Sequence, residues 1–491
     1  MSTTKISDHA NDNQNDNLRD AESAAHAENK LPDNVVKFEP PVDRGPTKPL
    51  RLTVKERIHL VAEALGIKTS PLLLAALTLM LGTVAQAQSA PSPTPSKDDK
   101  LQAKAKELHK KILAFDSHVD LPLDFGGPGL EATTDGKSQF DLVKTGKGGL
   151  KGAALAVFVA QGPRNAETLA AAKADAEKKH QIITSIAKTY PDRAAIAYTP
   201  DDARRIARDG KFAIVESFLN AWPLGGDLSL LDEWHRKGVR IFGFVHAGHN
   251  DWTDSSRPSK PLGDKPEEHG GLSPLGKQAV ARLNELGVLI DVSQLSTKAF
   301  FDTLKLTKAP VAATHSGVRG LVDVTRNLND EELVALKANG GVIQIVAFSA
   351  YLRPIPPDVV EKLKALADEY GLSGDAPQAL SPERRAEYTK RYYALLAPVP
   401  KATLGQLVDS IDYAVRKIGV DHVGIASDFN HGGGVTGWKD ESEAYNLTAE
   451  LLRRGYSEAA IAKLWGGNFL RVWGKAQEVG KQLNRKQLSS K

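Results

Sequence analysis

"ILAFDSHVDLPLDF", residues Ile112–Phe125, decides how the chain is read. A short apolar run, Ile112 to Phe115, leads into Asp116, His118 and Asp120 at alternate positions. Alternate residues of a strand share a face. The stretch therefore predicts a buried strand that aims two carboxylates and an imidazole at one place. Seven further apolar runs follow: "GAALAVFVA" (152–160), "FAIVESF" (212–218), "VRIFGFVHA" (239–247), "GVLIDVS" (287–293), "PVAATHS" (310–316), "GGVIQIVAF" (340–348) and "DHVGIASDF" (421–429). Between most of them lie helical patterns closed by glycine, such as "LSLLDEWHRKG" and "SPLGKQAVARLNELG". Continuous apolar strands alternating with helices predict a parallel sheet. Eight such units suit an α/β fold of the (β/α)8 TIM-barrel type. A doubly wound open sheet is the alternative, but no G-x-G-x-x-G follows the first strand to support a dinucleotide site.

The strand ends carry the chemistry. The first ends in His118 and Asp120, the third carries Glu216, and the fourth His246. The fifth ends with Asp291 and Gln294, the sixth at His315, and the eighth at Asp428. In a barrel all C-terminal strand ends open on one mouth, where active sites lie. A single His or Asp at a strand end is usually a loop hydrogen-bonder. Repetition over six of the eight strands would require several separately partnered buried charges if it were only structural. The set predicts a metal site.

Composition narrows the choice of metal. The chain has 491 residues, 41% hydrophobic and 25% charged, as in an ordinary globular enzyme. A net charge of +4 is too small for this length to argue for a nucleic-acid partner. There are no cysteines, so disulfides, thiolate sites and cysteine nucleophiles are excluded. Any metal must be held by His, Asp or Glu, which favours Zn, Mn or Fe.

The N-terminal part reads differently. Residues 1–53 are polar and proline-containing and predict a disordered extension. Within 54–87, Pro71 to Val84 is apolar and uncharged, and Ala85-Gln86-Ala87 follows as a small-x-small site. That pattern predicts a secretory signal cut after Ala87, with export to the periplasm or beyond and no stable membrane span afterwards. The segment before the apolar run is longer than an ordinary leader, and true initiation near Val54 would account for it. Retention as a membrane anchor is the alternative. Residues 88–99 read as a linker, 100–478 as the catalytic domain and 479–491 as a frayed basic tail.

Many ordered motifs between Leu113 and Trp473 resemble the membrane dipeptidase (renal dipeptidase) family of zinc peptidases, within the amidohydrolase-like barrels. They are "DSHVDLP", "IVESF", "GVRIFGFVHAGHNDWTDS", "GGLSPLGKQAVARLNELGVLIDVSQLS", "APVAATHSGVRGLVDVTRNLNDEEL", "HVGIASDFN" and "LTAELLRRGYSEAAIAKLWGGNFLRVW". The resemblance implies a metal-dependent peptidase acting on dipeptides and tolerating a D-residue at the C-terminal position. It implies that His118 and Asp120 bind a first zinc, Glu216 bridges two ions and His315 binds the second. It gives His246 the scissile carbonyl, Arg326 the substrate's free carboxylate and Asp428 the proton. The chain departs from the family pattern at Gln294, where a second-metal histidine is expected. A neutral amide oxygen is a poor zinc ligand beside imidazole. One or two zinc ions, with a doubtful second site, follow from this substitution. So do two alternative functions: hydrolysis of another amide or a lactone, such as an N-acyl amino acid, and a degenerate site that only binds. His249 is a further candidate ligand, with loop hydrogen bonding as its other reading. The connection Ser349–Thr403 predicts a helical insertion between strands seven and eight. It would act as a lid or as a pair bridging a homodimer.

Overall fold

The computed structural model describes residues 96–259, 262–372, 380 and 382–489. The N-terminal extension and the signal-like segment lie outside the described residues, as does most of the linker. A helix, Lys97–Lys111, opens the described chain, three residues before the expected domain start. Its last turn delays the first strand, because the Ile112 N–H still donates to Leu108 O.

The strands are β1 (Phe115–Asp120), β2 (Gly152–Phe158), β3 (Ala194–Ile196), β4 (Phe212–Leu219), β5 (Val239–Gly243), β6 (Leu289–Asp291), β7 (Ala312–Ser316), β8 (Val342–Val346) and β9 (Val423–Ala426). They pair in the order β1-β2-β4-β5-β6-β7-β8-β9, all parallel. The circle closes where Val119 bridges Phe429, with Asp120 N–H donating to Phe429 O and Asp428 N–H to His118 O. The fold is a (β/α)8 barrel. Each of the eight predicted runs holds one barrel strand. The sequence reading missed β3, three residues long, which pairs only with β4.

Local sequence explains the helices between strands. Ser273 caps Pro274–Leu286 by accepting the Gly276 N–H, and Pro274 sits at the first helical position. Gly287, at φ 68°, ends that helix in the left-handed conformation. The outward strand faces, including Leu155, Val157, Ile214, Ile290, Ile343 and Ile345, belong to the main apolar core. A second cluster joins Phe115, Val215, Ile241, Leu289 and Val342 with Phe469, Val472 and Trp473 of helix Asn468–Ser489. These strand residues lie toward the N-terminal ends, so this helix covers the end opposite the mouth. It runs to Ser489, and residues 479–489 are helical rather than a frayed tail.

The insertion is helical, as expected. Ser349–Leu352 is a single turn, followed by helices Pro357–Glu369 and Pro382–Leu396. The pair has its own core of Val359, Leu363, Leu366, Tyr388, Tyr392 and Leu396. Tyr351, in the short turn, is buried with Phe348 and Ala426, next to the mouth.

Candidate metal centre

β1 does not alternate simply. Its register against β2 shifts between Asp116 and Val119. A bulge re-aims side chains locally, and Asp116 parts from the other two polar residues. Asp116 Oδ1 accepts the His118 and Ser427 N–H groups, and its carboxyl meets Glu441. His118 lies against His315, rings parallel within 9° and centroids 3.8 Å apart. Asp120 Oδ1 accepts from Lys179 Nζ at 2.8 Å, and its Oδ2 lies 3.3 Å from His431 Nδ1. The expected single convergence is therefore corrected for Asp116, which turns to Glu441, whereas Asp120 stays near enough to His118 and Asp428 for its charge to act on both.

β7 carries a matching shift against β8, between Ala313 and Ser316. It presents His315, whose Nδ1 meets Thr314 Oγ1 at 2.8 Å. Gln294 Nε2 donates to His315 Nε2 at 3.1 Å, and Gln294 Oε1 accepts from Arg257 Nη2. Arg257 Nη2 also lies 3.3 Å from His246 Nε2, and its Nη1 lies 3.4 Å from the Tyr351 hydroxyl. Gln294 holds this place with φ at 70°. For a residue other than glycine that conformation costs about 1–3 kcal/mol and is characteristic of functional sites.

Asp428 follows β9 with φ at 58°, and its Oδ1 lies 3.6 Å from His118 Nε2. Arg326 is buried beside it. Arg326 Nη1 donates to Ser316 Oγ at 2.9 Å and Nη2 to His315 O, and its guanidinium lies 5.3 Å from the Tyr351 ring centre. Burial sets the protonation states. It pushes His118 down to about 4 and His315 well below the usual histidine range. It pushes Asp428 well above the usual carboxylate range, against the pull of Arg326. Both imidazoles are neutral at neutral pH, the form that binds metals.

Glu216 does not join this group. It points away from its neighbours Val215 and Ser217, toward helix Ala166–Thr189, where its Oε1 lies 2.6 Å from His180 Nδ1. The mouth end of β4 is Asn220, an amide committed to Val159 O, Trp222 N and Asn250 Nδ2. His249 serves its loop: Nδ1 accepts the Ser255 N–H, and Nε2 meets Lys265 O. Asp291 accepts from Ser293, Thr314 N–H and Thr314 Oγ1, steadying the two strand ends.

The sequence reading missed three residues of the centre. Lys179 sits in "EKKHQ", a pattern that reads as a solvated helix face, yet it is 1% exposed. His431 lies three residues beyond Asp428, before a glycine run, and its ring stacks 5.2 Å from that of His246. Arg257 lies in a loop with no motif to mark it.

Among the described residues, His118, His315 and Asp428 bring donor atoms within 4.8 Å of one another. His118 Nε2 and Asp428 Oδ1 are buried without a hydrogen-bond partner. Such orphaned atoms are costly unless something satisfies them. Two neutral imidazoles and a carboxylate fit one divalent ion such as zinc.

Comparison with known proteins agrees with this architecture. The chain is 31% identical over 309 residues to Dipeptidase tcpJ of Claviceps purpurea, covering 62% of this chain and 60% of that protein. It is 28% identical to Dipeptidase verJ of Clonostachys rogersoniana, over 79% of this chain and 89% of that one. The crystal structure of the probable dipeptidase PvdM from Pseudomonas aeruginosa superposes with a TM-score of 0.74 at 52% identity, covering 77% of this chain and 99% of that chain. The profile described as Membrane dipeptidase (Peptidase family M19) matches residues 102–487. A metal cofactor is implied by that family. By these matches, the chain belongs to the membrane dipeptidase family of peptidases.

Proposed function

We propose that the chain is a zinc-dependent dipeptidase that hydrolyses dipeptides with a free C-terminal carboxylate. The observation that carries this reading is the placement of Arg326, buried and 5.3 Å from the Tyr351 ring, beside the His118–His315–Asp428 cluster. A guanidinium fixed on one edge by Ser316 and His315 O is preorganised to take a carboxylate in fork geometry. His118, His315 and Asp428 would hold the ion. Such an ion lowers the pKa of water and polarises a carbonyl.

The remaining work falls to side chains. Arg326 anchors the substrate's carboxylate and so sets its register. Asp428, ionised beside a bound cation, would take a proton from the attacking water on the oxygen not given to the ion and deliver it to the leaving amine. The buried ring of Tyr351 lies next to both arginines. The family resemblance adds tolerance of a D-residue at the C-terminal position of such dipeptides. The uncharged run before Ala87 supports export, so peptides outside the cytoplasm are the expected substrates.

The test compares a dipeptide with its C-terminal amide. Cleavage of the free acid at least tenfold faster is expected. Equal rates would sink the carboxylate-anchor reading.

A further inference from the structure

We infer that this chain holds a single metal ion, and that the Arg257 guanidinium occupies the position of a second positive centre. Three observations converge. First, the described residues offer one cluster of three donors, His118, His315 and Asp428. The carboxylate that the resemblance would use as a bridge, Glu216, is turned to His180 on the far face of β4. The mouth end of that strand offers only the committed amide of Asn220.

Second, Gln294 is an intermediary between Arg257 and His315. Its oxygen accepts from Arg257, and its nitrogen donates to His315 Nε2, a hydrogen bond that an ion held by His315 would displace while the Arg257 contact stays. An ion placed on Gln294 would sit against a guanidinium that is charged at every working pH. The amide that replaces a histidine is thus paired with a cation that makes a second metal unfavourable.

Third, Arg257 reaches the atoms a second centre would serve. It lies 3.3 Å from His246 Nε2 and 3.4 Å from the Tyr351 hydroxyl, and it is 2% exposed. Donation by Arg257 leaves His246 Nε2 as an acceptor. That nitrogen then cannot itself donate to a developing oxyanion, and the donor role at this point passes to Arg257.

The metal count does not depend on the substrate; the role of Arg257 rests on the dipeptidase reading. The full-length protein, loaded with zinc and freed of excess, is analysed for metal per chain. One ion is expected, and His118→Ala should remove it. Two ions, or one that survives H118A, would overturn the inference. Binding of a phosphinate dipeptide mimic, with a tetrahedral anion at the reacting position, is then measured by calorimetry. Arg257→Met should keep one zinc and weaken the mimic about 100-fold, and Arg257→Lys should recover much of that loss. Unchanged affinity in R257M overturns the role of Arg257. If the wild-type protein ignores the mimic while holding one zinc, the dipeptidase reading fails and the metal count stands.

Discussion

The imidazoles of His118 and His315 lie face to face, 3.8 Å apart and 9° from parallel, although they come from β1 and β7. Each lies within a register shift of its own strand, between Asp116 and Val119 and between Ala313 and Ser316. The paired bulges bring both rings to the same side of the mouth as Asp428. Two protonated rings would repel at this distance, so burial and stacking together keep the pair neutral. The geometry that readies them for a metal also makes them dependent on it.

Arg326 is expected to act through the substrate's charge. Replacing it with Met should lower kcat/KM for free dipeptides about 10- to 100-fold, the worth of a charge-assisted hydrogen bond. The effect on C-terminal amides should be small. Steady-state kinetics on matched acid and amide substrates would check this. Equal losses on both would argue for a structural role.

Asp428 is expected to carry the proton. Asp428→Asn should reduce kcat about 100- to 10,000-fold, with KM changing far less. A variant retaining a tenth of wild-type kcat would remove Asp428 from the chemistry.

Glu216 is expected to matter for stability and not for metal. Its partner is His180, 2.6 Å away, and that hydrogen bond raises the His180 pKa above the usual histidine value. Glu216→Gln should cost about 1–3 kcal/mol in denaturant titrations, with zinc content unchanged. Loss of zinc in E216Q would restore the bridging role that the resemblance implies.

His109 predicts an acid-sensitive stability away from the mouth. It is buried against Trp465 and Tyr445, with Nε2 2.7 Å from Thr448 Oγ1. Burial pushes it down to about 4, below the ordinary value of 6.5. The unfolded chain therefore binds the proton first as pH falls. Stability is present in full above about pH 6.5 and drains away toward pH 4, by about 3 kcal/mol at most. His109→Gln should flatten this part of the stability–pH profile. A profile identical to wild type would contradict the assignment.

Much of the fold was legible because barrel strands are buried on both faces and read as unbroken apolar runs. β3 was not, since three residues carry no period. The ligand-bearing strand ends were also legible, but the direction of each side chain was not. A one-residue register change turns a side chain to the opposite face. That is how β1 separates Asp116 from His118, whereas Glu216 on β4 faces a helix by ordinary strand alternation. Gln294 was visible as a departure from the family pattern. Its partner Arg257 was not, because the contact joins two loops and depends on the folded mouth. Lys179 was hidden for a similar reason: a lysine on a charged helix reads as solvated until the strand end it neutralises is in place.

The most direct test of the central claim is turnover. The purified chain, zinc-loaded, would be assayed on L,L- and L,D-dipeptides and on N-acetyl amino acids, with and without a chelator. Dipeptide cleavage that the chelator abolishes and zinc restores is the predicted result. A folded, zinc-containing protein that cleaves no dipeptide would contradict the account.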